Sequence, residues 1–343
     1  MKISVAYLLT LFFLTNSIAQ TEKINVWIFT DMTDKTLKGT NHMGTLNDPD
    51  DISALAGYLL MSNLFNTKGI VVGSTHRSEH KNTPNQAKWA QSYFGEAYGK
   101  DLKGLSSTYS GYQKEVPFIQ SSIMANAEHY DPTANYRSLS KYNSIKALFK
   151  EVKKSKDTLN VLIWGSTTEP AIFVKHIFQT GQEELLKRVR FIAHWTNSAL
   201  HQGTLENPEA VANCNEDRAA CTYMKNLALK GNIQYYELGA IGQHGLVSGA
   251  PSGIEYYSQF NSSHLGQIFL NGKYVNDKVD HSDAATYWVL LGKYGVHLNQ
   301  FKSNGSNNPV LEKQMELNLR NNSLEIHNVL LARSNSAANG NFK

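Results

Sequence analysis

"KINVWIFTD", residues 23–31, followed by "NDPDDISALAGYLL", residues 47–60, is the stretch on which the fold turns. The first segment is a short apolar run closing on Thr30 and Asp31. A strand without polar alternation belongs inside a parallel sheet with both faces covered. The second crowds Asp48, Asp50 and Asp51 together, then sets Ile52, Leu55, Ala56, Leu59 and Leu60 at the spacing of one buried helix face. Strand, loop and helix make half of a βαβ unit, and open α/β sheets bind ligands beyond the carboxyl ends of their strands.

Helix capping accounts for part of the crowding. Asp48 is expected as the N-cap and Pro49 as the first helical residue, with Asp50 and Asp51 near the positive end of the helix dipole. Asp31, however, arrives at the same edge. Four carboxylates converging there repel one another unless a cation or protons neutralise them. Oxygen ligands without thiol or imidazole suit calcium or magnesium. A metal therefore explains the crowding better than a cap, and the two roles are compatible.

Outward from this unit the alternation continues. The sequence predicts strands at 69–73, 158–165, 189–195 and 233–238, and helices at 84–98, 141–154, 169–179, 217–229 and from Asp283 onward. That order predicts an α/β fold: an open, mostly parallel, Rossmann-like sheet with helices on both faces. Without a linker or repeat, residues 21–335 are expected to form a single domain, and the Asn- and Ser-rich residues 336–343 a flexible tail. Polar groups follow several strands in the register of Asp31: Ser74 to His76, Ser166 to Glu169, and His194 to Asn197. His76 and Asn197 are thus candidates for substrate contact. Near the end, Asp280, His281 and Asp283 cluster before an apolar helix face of Ala284, Tyr287, Leu290 and Leu291.

At 343 residues, with 41% apolar and 18% charged residues and a net charge of +4, the composition is that of a globular protein and argues against a nucleic-acid partner. The dense basic run "KEVKKSK", 150–156, fits a solvated helix face. Residues 1–20 combine a basic second residue, an apolar core from Val5 to Leu14, and the small Ser17 and Ala19, the pattern of a secretory signal cleaved after Ala19 or Gln20. A secreted or periplasmic protein, with no membrane partner once the signal is removed, is expected. In such a compartment Cys214 and Cys221 can pair only if the chain between them bends, because seven residues of straight helix span about 10 Å.

Together, "IFTD", "NDPDDISALAGYLLMSNLFNTKGIVVGST", "NVLIWGSTTEPAIFV" and "HSDAATYWVLLGKYGV" resemble the calcium-dependent nucleoside hydrolase superfamily, closest to its secreted bacterial branch linked with cellulose or polysaccharide binding. The resemblance spans most of residues 24–296. It implies Ca2+ as cofactor, held by Asp31, Asp51, the Thr168 carbonyl and Asp283. It also implies Asp50 as the general base that activates a calcium-held water for attack on an anomeric carbon, with His281 or His244 as leaving-group acid. Asn213, and more weakly Glu209, match the segment that contacts the sugar. The implied substrate is a nucleoside or sugar, and the implied assembly a homodimer or homotetramer. The chain departs from the family in separating Asp31 from Asp50 by an insertion, "MTDKTLKGTNHMGTLNDP", and in placing "STH" where the family has an asparagine.

Two other classes compete. "DKTLKGT", 34–40, echoes a phosphorylated-aspartate motif of haloacid-dehalogenase-like phosphatases but lacks the continuous motif at the strand end. A calcium-dependent carbohydrate-binding protein on the same fold would also suit the 17 tyrosines and 5 tryptophans. Asp50 separates that reading from a hydrolase, since Asp51 alone can serve as metal ligand.

Overall fold

Val26 and Ile28 of the first strand point into one apolar core while Trp27 and Phe29 point into another, and all four are buried. A strand apolar on both faces is what a central position in a covered sheet requires. The computed structural model describes residues 23–39, 44–46, 48–73, 84–123 and 128–340. In chain order the first elements are β1 (Ile24–Phe29), α1 (Asp50–Met61), β2 (Phe65–Val72), α2 (Gln86–Ala90), α3 (Glu96–Thr108), β3 (Phe118–Gln120), α4 (Asn143–Lys154), β4 (Leu159–Ile163) and α5 (Thr168–Gln179). They are followed by β5 (Val189–Ala193), α6 (Ala212–Asn215), α7 (Arg218–Leu229), β6 (Gln234–Glu237), α8 (Ile254–Ser258), α9 (His264–Phe269), β7 (Lys273–Val275), β8 (Lys278–Asp280), α10 (Ala285–Leu291) and α11 (Pro309–Ala338).

Six strands form one sheet in the order β3-β2-β1-β4-β5-β6, every pair parallel. The chain runs outward from β1 to β3, then returns to β4 on the other side of β1. This makes the β1/β4 edge a topological switch point, where the following loops diverge and leave a crevice. One core packs α1, α3, α9, α10 and α11 against the sheet, and the other packs α4, α5 and α7. The Rossmann-like architecture read from the alternation is the one observed.

Several boundaries differ from the sequence reading. The second strand begins at Phe65 rather than at residue 69, and a π-helical turn, Gln91–Gly95, carries α2 on into α3 as far as Thr108. The antiparallel hairpin β7–β8 turns through Asn276 and Asp277, both at positive φ, and was not anticipated. The largest correction is α11, 30 residues long, which takes in residues 336–338 that were expected as flexible tail; Ala337 and Ala338 are buried. Its inward positions include Met315, Leu319, Ile326 and Leu330, but also Glu312, Glu316, Ser323 and His327, so polar residues interrupt the apolar stripe. Gly104 of α3 lets this helix approach closely, since a Cβ there would lie 2.2 Å from the Ala337 carbonyl oxygen. The proposed signal, residues 1–20, lies outside the described residues. Among the described residues no helix is long and apolar enough to cross a membrane.

Candidate active site

Asp31 emerges from β1 into the switch-point crevice and its backbone N–H donates to Asp51 Oδ2 at 2.8 Å. Gly165, just past β4, permits this approach: a Cβ there would sit 2.7 Å from Asp31 Oδ2. Asp50 and Asp51 open α1, whose N-cap is Pro49 with no side-chain cap bond. Asp48 is thus not the cap expected from sequence. Its carboxylate instead pairs with Lys273 Nζ at 3.3 Å. Asp31, Asp50 and Asp51 each offer an oxygen within 4.8 Å of the others.

Asp283 enters from a separate part of the chain, in the short 3-10 turn Ser282–Ala284 that leads into α10. It is buried against the same group. Burial first, then Asp283, Asp31 and Asp50, hold the Asp51 carboxyl well above the usual carboxylate range. Burial, with Asp50 and Asp31, does the same to Asp283. No N–H or O–H of the described residues donates to the buried Asp51 Oδ1 or Asp283 Oδ1. Buried acceptors left in this condition are costly. Two such oxygens, one on each of two neighbouring buried carboxyls, call for a shared proton or a cation. The donor set is all oxygen, which matches a hard divalent ion.

The crevice holds a cavity of about 230 Å³. Asp31, Asp48, Asp50 and Asp283 line one side, Trp164 and Trp195 supply apolar walls, and Asn213, Gln202 and Gln243 offer neutral polar groups. Asn213 is held by its own bond, Nδ2 donating to the His194 carbonyl at 3.0 Å. Trp195 adopts φ 53°, a left-handed conformation that costs a non-glycine residue about 1–3 kcal/mol and is characteristic of ligand sites. Trp164 is fixed by Nε1 donating to Thr286 Oγ1 at 2.8 Å.

Two cavity groups carry chemistry that sequence reasoning did not assign. Lys273, from β7, lies 3.3 Å from Asp48, 3.5 Å from Asp50 and 3.5 Å from Asp280. Burial pulls its ammonium down, but Asp50, Asp48 and Asp280 outweigh this and hold it above the ordinary lysine range. Burial and Asp50 raise Asp280 to about 7, against the opposing pull of Lys273. His194 lines the cavity with Nε2 at 3.9 Å from Asp283 Oδ1, and burial depresses it to about 4. Its position at a strand end was visible in the sequence, whereas Lys273 was marked only by the turn dipeptide of its hairpin, Asn276-Asp277.

Other expected residues lie elsewhere. His281 is buried with Nε2 3.1 Å from His327 Nε2. His327 Nδ1 meets the Ser323 carbonyl at 2.8 Å and must carry its proton there, so His281 is the Nε2–H donor of the pair. That proton faces His327, not the cavity. His244 stacks on His201 behind Trp195. Neither histidine is placed to protonate a leaving group in the cavity. Glu209 pairs with Lys225 at 3.7 Å, the Asn197 carbonyl accepts from Asn307 at 3.0 Å, and the Thr168 hydroxyl binds Asp217 and Ser166. None of the three lines the cavity. His76 falls outside the described residues.

Residues 42–199 match the family described as cellulose-binding Sde182, nucleoside hydrolase-like domain. The fold is nucleoside hydrolase-like. Among solved structures it is similar to a nucleoside hydrolase-related hypothetical protein from Saccharophagus degradans that is associated with carbohydrate metabolism, at 15% identity and TM-score 0.61, covering 94% of this chain and 73% of that one. It is also similar to the inosine-uridine preferring nucleoside hydrolase from Bacillus anthracis, at 12% identity and TM-score 0.41, covering 86% of this chain and 99% of that one. No curated protein matches. In this sheet the acidic cluster lies in the crevice at the β1/β4 switch point.

Proposed function

We propose that this chain is a secreted, calcium-dependent hydrolase of a glycosidic bond, of nucleoside or related sugar substrates, with Asp50 as general base. The observation that carries the reading is the convergence of Asp31, Asp50, Asp51 and Asp283 at the β1/β4 edge, with buried acceptor oxygens on Asp51 and Asp283 that no donor among the described residues satisfies. Asp31, Asp51 and Asp283 would hold the ion. When bound, calcium supplies the positive charge these carboxylates need, a grip on vicinal sugar hydroxyls, and a more acidic water.

The chain's own residues do the rest. Asp50 accepts a proton from the attacking water as the oxygen approaches the anomeric carbon. The bond to the leaving group breaks with its electron pair, and the positive charge that develops on the ring is stabilised by the surrounding carboxylates. Trp164 and Trp195 exclude water and flank the ring, and Asn213 hydrogen-bonds a sugar hydroxyl. His194, which lines the cavity and is neutral at pH 7, is the imidazole available to a leaving group there. A cavity of about 230 Å³ is below the roughly 300–1,000 Å³ of drug-sized pockets and suits one sugar unit or one nucleoside. The Cys214–Cys221 disulfide, formed across the break between α6 and α7 with Cα atoms 5.3 Å apart, supports an oxidising compartment.

A non-catalytic sugar-binding role is the second reading, favoured by Lys273 standing beside the proposed base and by the description of the matched family. The deciding experiment is sugar release by reducing-end assay from a panel of nucleosides and short glycosides with calcium present. Release by the parent that disappears in Asp50→Asn identifies a hydrolase and its substrate class. Silence from both proteins, with calcium bound to each, leaves the binding role. Asp51→Ala is expected to lose tight calcium binding, and unchanged binding in that variant would refute the ligand assignment.

A further inference from the structure

Behind the cavity wall lies a second convergence of ligating side chains. His201 follows β5, while Glu312 and Glu316 stand one turn apart on α11. Donor atoms of all three lie within 4.8 Å of one another. Residues at i and i+4 project from the same side of a helix, so both carboxylates meet the imidazole. His201 Nε2 is 2.5 Å from Glu316 Oε1. Both glutamates are fully buried, whereas the His201 side chain keeps 19% exposure and opens the group to solvent.

The surroundings keep Glu312 an acceptor. Ser198 Oγ and the Ala240 N–H donate to Oε1 at 2.8 and 2.7 Å, and the Asn307 amide donates to Oε2. Among the described residues, Glu316 Oε2 is met by a half-exposed Lys313 ammonium at 3.2 Å. His244 stacks face to face on His201, with centroids 3.5 Å apart and planes at 7°.

We propose that His201, Glu312 and Glu316 form a second metal site, for a borderline divalent cation of the zinc type. One imidazole nitrogen with two carboxylates is a donor set for zinc and its neighbours rather than for calcium, and three protein ligands leave a position for water on the exposed side. Ser198, Ala240 and Asn307 orient Glu312, as outer partners of metal ligands do. The site joins the loop after β5 to α11. Trp195, whose ring contacts both His201 and His244, transmits that tie to the cavity wall. The proposal stands whether or not the cavity hydrolyses anything.

The test is a zinc titration of the disulfide-intact, untagged chain in millimolar calcium, with stoichiometry read by equilibrium dialysis and metal analysis. One zinc per chain is expected. Loss of outer partners alone commonly weakens metal sites 10–100-fold, so His201→Gln and Glu316→Gln should each weaken zinc by at least ~100-fold. Asp51→Asn should leave zinc binding unchanged. Cobalt substitution should give a visible absorption band that is lost in His201→Gln. Failure of the parent to retain zinc at micromolar free metal would overturn the site, as would parental affinity in His201→Gln, or loss of zinc in Asp51→Asn. His201→Gln alters a partly exposed side chain, and circular dichroism checks its fold, so it decides the matter should Glu316→Gln not fold.

Discussion

Lys273 bears on the site more than any other single residue. Its ammonium bridges Asp48, Asp50 and Asp280, so it competes electrostatically with any cation held by the neighbouring carboxylates. Two unit charges about 5 Å apart interact by about 3 kcal/mol at an effective dielectric of 20. Lys273→Met should therefore tighten calcium by at least ~10-fold, measured by calorimetry, while lowering the melting temperature of the calcium-free protein. Unchanged affinity would mean that the ion binds out of reach of this charge. The aspartates themselves were legible in the sequence, because a strand end and a helix start place them at one edge by local rules. Lys273 was not, since a hairpin more than 200 residues away delivers it. The one local signal was "Asn276-Asp277" between "KYV" and "KVD", a tight-turn dipeptide flanked by strand formers.

Among the elements, α6 and α7 show how a covalent link serves the site. The chain bends between Asn215 and Arg218, bringing Cys214 to Cys221, and Asn213 sits on the short helix so fixed. Sequence spacing defined what a bridge would require but could not supply the bend; Asp217, whose side chain caps α7 through the Ala220 N–H, starts a new helix there. Closing so small a loop is worth about 2 kcal/mol. Replacing both cysteines by serine should lower stability by about that amount in a denaturant titration and weaken sugar binding through a looser Asn213. An unmoved denaturation midpoint would show that packing of Val211 and Trp195 alone holds the segment. The helix α11 was illegible for the opposite reason. Its buried face carries Glu312, Glu316, Ser323, His327 and Arg333, and apolar periodicity is a poor guide where a helix buries polar partners.

At the scale of the whole molecule, those buried polar groups make stability depend on pH in two opposing ways. Burial depresses His327 to about 4, and burial with His327 holds His281 well below the usual range. Histidines kept neutral in the fold contribute stability that is complete above the unfolded value of 6.5 and is lost as pH falls toward 4, because the unfolded chain then takes up protons that the fold refuses. Asp280, raised to about 7, works in the other direction: its contribution is complete below 3.8 and declines as pH rises toward 7. The two windows overlap, so the parent's pH profile alone does not separate them. His327→Gln does. Glutamine can still accept the His281 Nε2–H, but it has no proton to gain. The variant should be less stable than the parent at pH 7.5, where the packing against Tyr257 and Phe269 is poorer. That deficit should then shrink by about 3 kcal/mol by pH 4, the free energy corresponding to a fall from 6.5 to about 4. Urea titrations of both proteins from pH 4 to 7.5 give the difference directly. A deficit that stays constant over this range would mean that His327 takes up its proton in the fold as readily as in the unfolded chain, and the assigned donor and acceptor roles of the His281–His327 pair would have to be abandoned.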